Sequence, residues 1–201
     1  MHDGYFGERV AATYDESSAE MFEPGVVEPA VDVLAEIAGR GRALEFGVGT
    51  GRIALPLAAR GVEVHGIDLS RAMVSRLRAK PGGDAIGVTI GDFATVRLDG
   101  EFSVAYLVFN TIMNLTTQDA QVACFRNAAA HLAPGGCFVI EVGVPDLRVP
   151  VDPVPLRVAG GAGPDGTARR IAPARAVGGL GAPALHEREP RARLDLGKAR
   201  D

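Results

Sequence analysis

Tryptophan is missing from these 201 residues, and lysine and cysteine each occur only twice, against nineteen arginines. No apolar run approaches the roughly 18 residues that a membrane-spanning helix needs. Two cysteines are too few for a disulfide scaffold. Cys124 reads as helix and Cys137 as a strand start, so both are expected as buried thiols. The four histidines, His2, His65, His131 and His186, do not cluster in a ligand-like spacing, and no metal site is expected. There is no G-x-S-x-G elbow and no P-loop lysine. The opening residues, Met1-His2-Asp3-Gly4-Tyr5-Phe6, lack the basic and apolar regions of a secretory leader, which makes the cytoplasm the expected compartment.

Aromatics are also missing from one end. From Val149 to Asp201 there is no Phe, Tyr or Trp, although the first 148 residues hold all eleven. Ala, Gly, Pro and Arg supply 33 of those last 53 residues, and the net charge changes from −7 before Val149 to +3 after it. Seven prolines break any period. Such a segment buries too little apolar surface to offset its ordering entropy, so 148–201 is expected to be a disordered low-complexity tail. Arginine-rich, lysine-poor usage points to GC-rich coding DNA. A reading frame shifted after about Leu147 would yield this composition, as would a genuine mildly basic tail. Its charge is too dilute for the concentrated basic surface that nucleic-acid binding needs.

The remainder is rich in signal. Hydrophobic residues make up 47% of the chain, enough for a packed core. Helices are expected near 7–13 and 27–38, the second with Val27, Val31, Leu34 and Ala38 on one face. Strand 42–47, helix 51–60, strand 62–67, helix 70–79 and strand 86–91 follow. Strand 102–108, helix 117–132 and strand 137–143 complete the order. Alternation of this kind implies an α/β, Rossmann-like doubly wound, mostly parallel sheet with helices on both faces. Its strands are apolar on both sides, as a covered sheet requires.

Within that order, Ala43-Leu44-Glu45-Phe46-Gly47-Val48-Gly49-Thr50-Gly51 is an apolar run, an acid and three glycines at alternate positions. It reads as a strand entering a tight turn that opens a helix, where glycine lets the backbone lie against a ligand. The spacing differs from the G-x-G-x-x-G of dinucleotide folds, and an acid beside the loop opposes a pyrophosphate. Val62 to Ser70 reads as a second strand ending in Asp68, 17 residues after Gly51. That is near the offset of about 20 expected of a ribose-binding carboxylate. Asp68 also suits the start of a helix that Ser70 would cap.

Glu45 to Gly51 resembles the E/D-x-G-x-G-x-G motif of the class I S-adenosylmethionine (SAM)-dependent methyltransferases, and the resemblance extends over about residues 5–145. It implies SAM as cofactor and methyl transfer to a small-molecule nucleophile. Glu45, Gly47, Gly49 and Gly51 would form the cradle, with Asp68 and Leu69 at the ribose. Asp92 would receive the adenine amino group and Phe93 would pack on the ring; a turn aspartate is the other reading of Asp92. Tyr14 would cover the cofactor or serve as a packing residue. Phe109 would contact the cofactor, and Asn110, with Tyr14, would border the reaction centre, unless Asn110 is only a turn residue. No catalytic base is nominated. The family's N-P-P-Y-type motif for nucleic-acid bases is replaced by Phe109-Asn110-Thr111-Ile112, which opposes a nucleic-acid substrate; no membrane partner is expected. The domain is expected over 1–147, with N-terminal helices in 1–40 and the cofactor-binding core in 41–147. The family's two C-terminal edge strands are expected to be missing. A non-catalytic SAM-binding chain and a nicotinamide-dependent oxidoreductase are the other readings.

Overall fold

A computed structural model describes residues 4–143. The boundary expected near Leu147, the low-complexity tail and any C-terminal edge strands lie outside the described residues.

Five parallel strands form one sheet in the order β3-β2-β1-β4-β5: β1 (Ala43–Phe46), β2 (Val64–Asp68), β3 (Gly87–Ile90), β4 (Phe102–Leu107) and β5 (Leu132–Ile140). The chain winds outward from β1 to β3, returns to the other side of β1 as β4, and winds outward again. Reversal of strand order between β1 and β4 opens a crevice at their carboxyl ends. Every residue of β1 is buried and β4 is nearly so, while β3, at the edge, is only half-buried.

Helices cover both faces. α3 (Pro24–Ala38) buries Val27, Val31, Leu34 and Ala38, the face that the 3.6-residue period predicts. Pro24 sits at its first position, where a missing N–H costs least. With α4 (Ala54–Ala59) and α5 (Arg71–Arg78) it builds a core around Leu57, Leu77, Ile86 and Tyr106. α6 (Gln118–His131) closes the opposite face over Phe46, Phe93, Phe102 and Phe138. Ser70 caps α5 by accepting a hydrogen bond from the Met73 amide at 3.1 Å, as expected.

Two local expectations are corrected. The helix expected over 7–13 is the shorter α1 (Glu8–Ala11), and a second, unexpected one, α2 (Tyr14–Ser17), follows after Thr13 leaves helical geometry (φ −118°, ψ 4°). Tyr14 therefore opens a helix. β5 begins five residues earlier than the expected 137, directly after His131. Its register jumps from Phe102↔Leu132 to Val104↔Cys137, so Ala133-Pro134-Gly135-Gly136 bulges out, with Gly135 at φ +79°.

Both histidines in this region are structural. Buried His131 accepts the Leu98 amide at Nε2 (2.9 Å) and bonds the Asn127 carbonyl through Nδ1 (2.7 Å). His65 Nε2 pairs with Thr89 Oγ1 at 2.9 Å. Cys124 is buried and Cys137 half-buried. Among the described residues no helix is long and apolar enough to cross a membrane, and no group of three His, Cys, Asp or Glu is placed to hold a metal.

Gly51 shows how tightly α5 packs on the glycine loop. A Cβ there would lie 2.1 Å from Leu77 Cδ1 and 3.1 Å from Leu55 Cγ, at a φ of +84°. Gly51→Ala is expected to destabilise the domain by about 1–3 kcal/mol through overpacking and backbone strain. Urea unfolding of the two proteins measures this, and an unchanged midpoint would refute the packing role.

Candidate cofactor site at the strand switch point

β1 carries Glu45 to the crevice and β4 brings Tyr106 beside it, because the two residues are partners in the parallel register. Side chains of paired positions share a sheet face, so the Tyr106 hydroxyl donates to Glu45 Oε2 at 2.9 Å. Glu45 is only 4% exposed. Burial pushes its carboxyl from the ordinary 4.5 up to about 8; the Tyr106 hydrogen bond and the Arg52 charge pull the other way. Burial also holds the Tyr106 phenol far above its usual value.

The loop after β1 is tied to β2. The amides of Gly47 and Val48 both donate to the Ile67 carbonyl, at 2.8 and 3.3 Å. Gly47 (φ +75°) and Gly49 (φ +54°) take left-handed conformations that open the loop. A Cβ on Gly47 would come within 2.7 Å of Thr111 Cγ2, so this glycine also lets the two walls of the crevice meet. Asp68 closes the loop from below: its Oδ2 accepts the Gly49 amide at 2.7 Å and its Oδ1 the Ser70 amide at 2.8 Å.

On the opposite wall, Phe109 and Asn110 follow β4 with φ of +61° and +56°. Two consecutive non-glycine residues in the left-handed region hold strain, and such strain concentrates at functional sites. Glu141 braces the turn: its Oε2 accepts the Phe109 amide at 3.0 Å and its carbonyl the Asn110 amide at 3.3 Å. Across the crevice, the Arg52 guanidinium lies over the Phe109 ring, 4.0 Å from its centroid.

A small, partly open cavity lies here. Among the residues expected at the site, Tyr14, Glu45, Gly47, Gly49 and Phe109 line it, together with Val48, Thr50, Arg52, Val108 and Thr111. Burial raises the Tyr14 hydroxyl above its ordinary value, with Arg52 opposing the shift. Asp68 lies behind the loop, one hydrogen bond from Gly49, with Leu69 39% exposed beside it. Asp92 is exposed at the end of β3, its Oδ1 accepting the Ala94 amide at 2.8 Å. Phe93 is turned into the core and stacks on Phe46 at 5.8 Å, and Gly51 packs against Leu77. Asn110 is exposed at the rim.

Arg52 is the residue that the motif reading passes over. It is half-buried, its charge is destabilised by desolvation, and it faces Tyr14, Glu45 and Glu141. Its only signal in the sequence is that it directly follows the last motif glycine.

A buried carboxyl, a half-buried guanidinium and a left-handed glycine loop at the switch point define a Rossmann-like domain with a cleft for a charged small molecule. Comparison with known proteins makes that class specific. Residues 43–136 match the methyltransferase domain family. Cypemycin N-terminal methyltransferase of a Streptomyces species is 28% identical over 157 residues, covering 75% of this chain and 61% of that protein. The CcbJ methyltransferase structure from Streptomyces caelestis is 39% identical with a TM-score of 0.63, covering 70% of this chain and 58% of that one. SAM-bound CalS10, an amino pentose methyltransferase from Micromonospora echinaspora, is 26% identical with a TM-score of 0.54 and the same two coverages, 70% and 58%. This chain spans about three fifths of the length of these relatives. Over residues 43–136 it is similar to methyltransferase domains.

The raised Glu45 carboxyl has a consequence for stability. A group whose folded value exceeds its unfolded one binds its proton more tightly when folded. The stability it contributes is therefore present below about 4.5 and lost as pH rises through about 8. In the ligand-free protein, stability is expected to fall across that window. Glu45→Gln, which can still accept from Tyr106, is expected to flatten this part of the profile. Denaturant midpoints taken against pH check it; a variant with the same slope as the parent would show that Glu45 does not titrate there.

Proposed function

We propose that the chain is a SAM-dependent methyltransferase that transfers the methyl group of SAM to a small-molecule nucleophile, an amine before a hydroxyl. The observation that carries this reading is a buried carboxyl and a half-buried guanidinium lining one cavity, Glu45 and Arg52. An amino-acid zwitterion matches both, its ammonium toward Glu45 and its carboxylate toward Arg52 and the Tyr14 hydroxyl. A pyrophosphate carries no cation to draw the buried Glu45 carboxyl into ionising, which argues against a nicotinamide dinucleotide.

The remaining expected residues extend the same placement. Asp68, already oriented by two backbone amides, would take the ribose hydroxyls, and Leu69 would flank the sugar. Asp92 would receive the adenine amino group, its turn held in place by Asn127, whose Nδ2 donates to the Phe93 and Val96 carbonyls at 2.7 and 2.9 Å. The Phe93 side chain, turned inward, would contribute through its backbone and ring edge.

SAM supplies a methyl carbon already activated by its sulfonium. What the protein adds is position: the crevice would hold donor and acceptor in line and keep water out. Asn110, at the exposed rim, would border the acceptor side of the cleft. Two relatives support an amine: by name, one methylates an N-terminus and another acts on an amino pentose. An amine attacks only as the free base, so transfer is expected to rise with pH until the acceptor is deprotonated.

Calorimetric titration with SAM, S-adenosylhomocysteine and NAD tests the cofactor. Binding of the first two without the third supports the reading, and NAD binding without SAM binding would overturn it. Labelled-methyl transfer to a panel of amines and alcohols tests the acceptor class. SAM binding with no transfer to any of them would favour a non-catalytic SAM-binding chain. Asp68→Ala is expected to weaken SAM binding by about 1–3 kcal/mol, the scale of a lost charged hydrogen bond. Unchanged affinity would remove Asp68 from the site.

A further inference from the structure

The segment that brings Tyr14 to the cavity packs Phe6 and Tyr14 on a small cluster of Ala11, Ala72 and Met73 and is tied down by polar contacts at both ends. α2 and the 3₁₀ turn that follows it, Ala19–Phe22, bury no residue. At one end of the segment, Ser70 Oγ donates to the Phe6 carbonyl at 2.6 Å and Arg76 pairs with Glu8 at 3.1 Å. At the other, three groups close a ring. Asp15 Oδ1 accepts the Thr50 hydroxyl at 2.5 Å, Asp15 Oδ2 pairs with Lys80 Nζ at 2.5 Å, and Lys80 Nζ donates to the Thr50 carbonyl at 2.8 Å.

Thr50 is the middle residue of Gly49-Thr50-Gly51 and is only 2% exposed. Asp15 is the neighbour of Tyr14. The ring therefore joins the cradle of the cavity directly to the segment that covers it. Lys80 lies two residues beyond α5, and its ammonium also sits 5.1 Å from the Phe22 ring centroid. It is one of only two lysines in a chain with nineteen arginines. A compact ammonium with three donors can serve a carboxylate and a carbonyl at once, where the planar fork of arginine is built for paired oxygens.

We infer that Lys80 is a positioning residue that pins the Tyr14-bearing strap to the glycine loop, and that the pin opens each time the cofactor enters or leaves. The inference rests on the proposal that this cavity takes SAM. Beyond the small cluster of Ala11, Ala72 and Met73 on which Phe6 and Tyr14 pack, the strap is held by a few part-exposed polar ties, and segments so lightly packed can open to gate a binding site. Its opening lifts Tyr14 off the cavity while leaving the Asp68–Gly49 bond and the glycine loop in place.

A gate has a kinetic signature. Loosening it speeds entry and exit together, whereas losing a direct contact speeds exit alone. The test uses Lys80→Met, which keeps the apolar stem, and Asp15→Asn, with Arg60→Met as a control that removes an exposed ion pair to Asp32 away from the cavity. Association and dissociation rates for S-adenosylhomocysteine are measured on the full chain by surface plasmon resonance. Both ring variants are expected to raise the dissociation rate by about tenfold, the effect of one partly buried tie, with the association rate also rising. Arg60→Met is expected to change neither rate. A rise in dissociation alone, or rates equal to those of the parent chain, overturns the pin. Hydrogen exchange in the unliganded chain reads it without any ligand: faster exchange over 14–22 in Lys80→Met supports it, and unchanged exchange overturns it. If the parent chain binds neither SAM nor its demethylated product, the cofactor reading fails, while the exchange result still decides whether Lys80 holds the strap.

Discussion

The whole site is organised around one buried carboxyl. Glu45 is placed at the end of a fully buried strand, where a charge is costly, and the structure keeps it there by giving it the Tyr106 hydroxyl and a nearby guanidinium. That arrangement leaves the carboxyl less willing to ionise than an exposed one. Much of the surrounding architecture follows from it. β4 must lie beside β1 in a register that delivers Tyr106, and the loop must bend away through left-handed glycines. Arg52 must sit close enough to be felt without forming a direct ion pair that would fill the cavity.

Around this centre, two walls have separate origins. The cradle belongs to β1 and β2: the amides of Gly47 and Val48 hang on Ile67, and Gly49 hangs on Asp68. The opposite wall belongs to β4 and β5, where Glu141 holds the Phe109–Asn110 turn. They meet at Gly47 and Thr111 and across the Arg52–Phe109 contact. The cleft at the switch point is thus a seam between two halves of the sheet, closed on top by an N-terminal strap with its own polar fastenings.

Much of this was legible in the amino-acid order. The alternation of apolar runs with helical periods locates the five strands and the buried face of α3, since each of those signals is local. The acid and the glycines place the loop, and the offset to Asp68 places the second strand's end. Other features depend on contacts that no local pattern encodes. The Glu45–Tyr106 pair spans 61 residues and exists only because of the β1–β4 register. Arg52 is buried by partners that come from three other elements. Phe93 turns inward because Phe46 offers it a stacking surface, and β5 starts early because a glycine at φ +79° lets four residues bulge out of the ladder. The split at Thr13 has no strong breaker to announce it.

The Phe109–Asn110 turn has a practical corollary. Its shape is imposed from outside, by Glu141 on the neighbouring strand and by the ring contact with Arg52, and glycine is not what makes it possible. Its side chains therefore project in directions that the scaffold dictates. Asparagine is among the few residues that tolerate such a backbone well. An engineer wishing to reshape the pocket would therefore work on lining residues beside the bend, such as Val108 and Thr111, and leave the bend itself undisturbed.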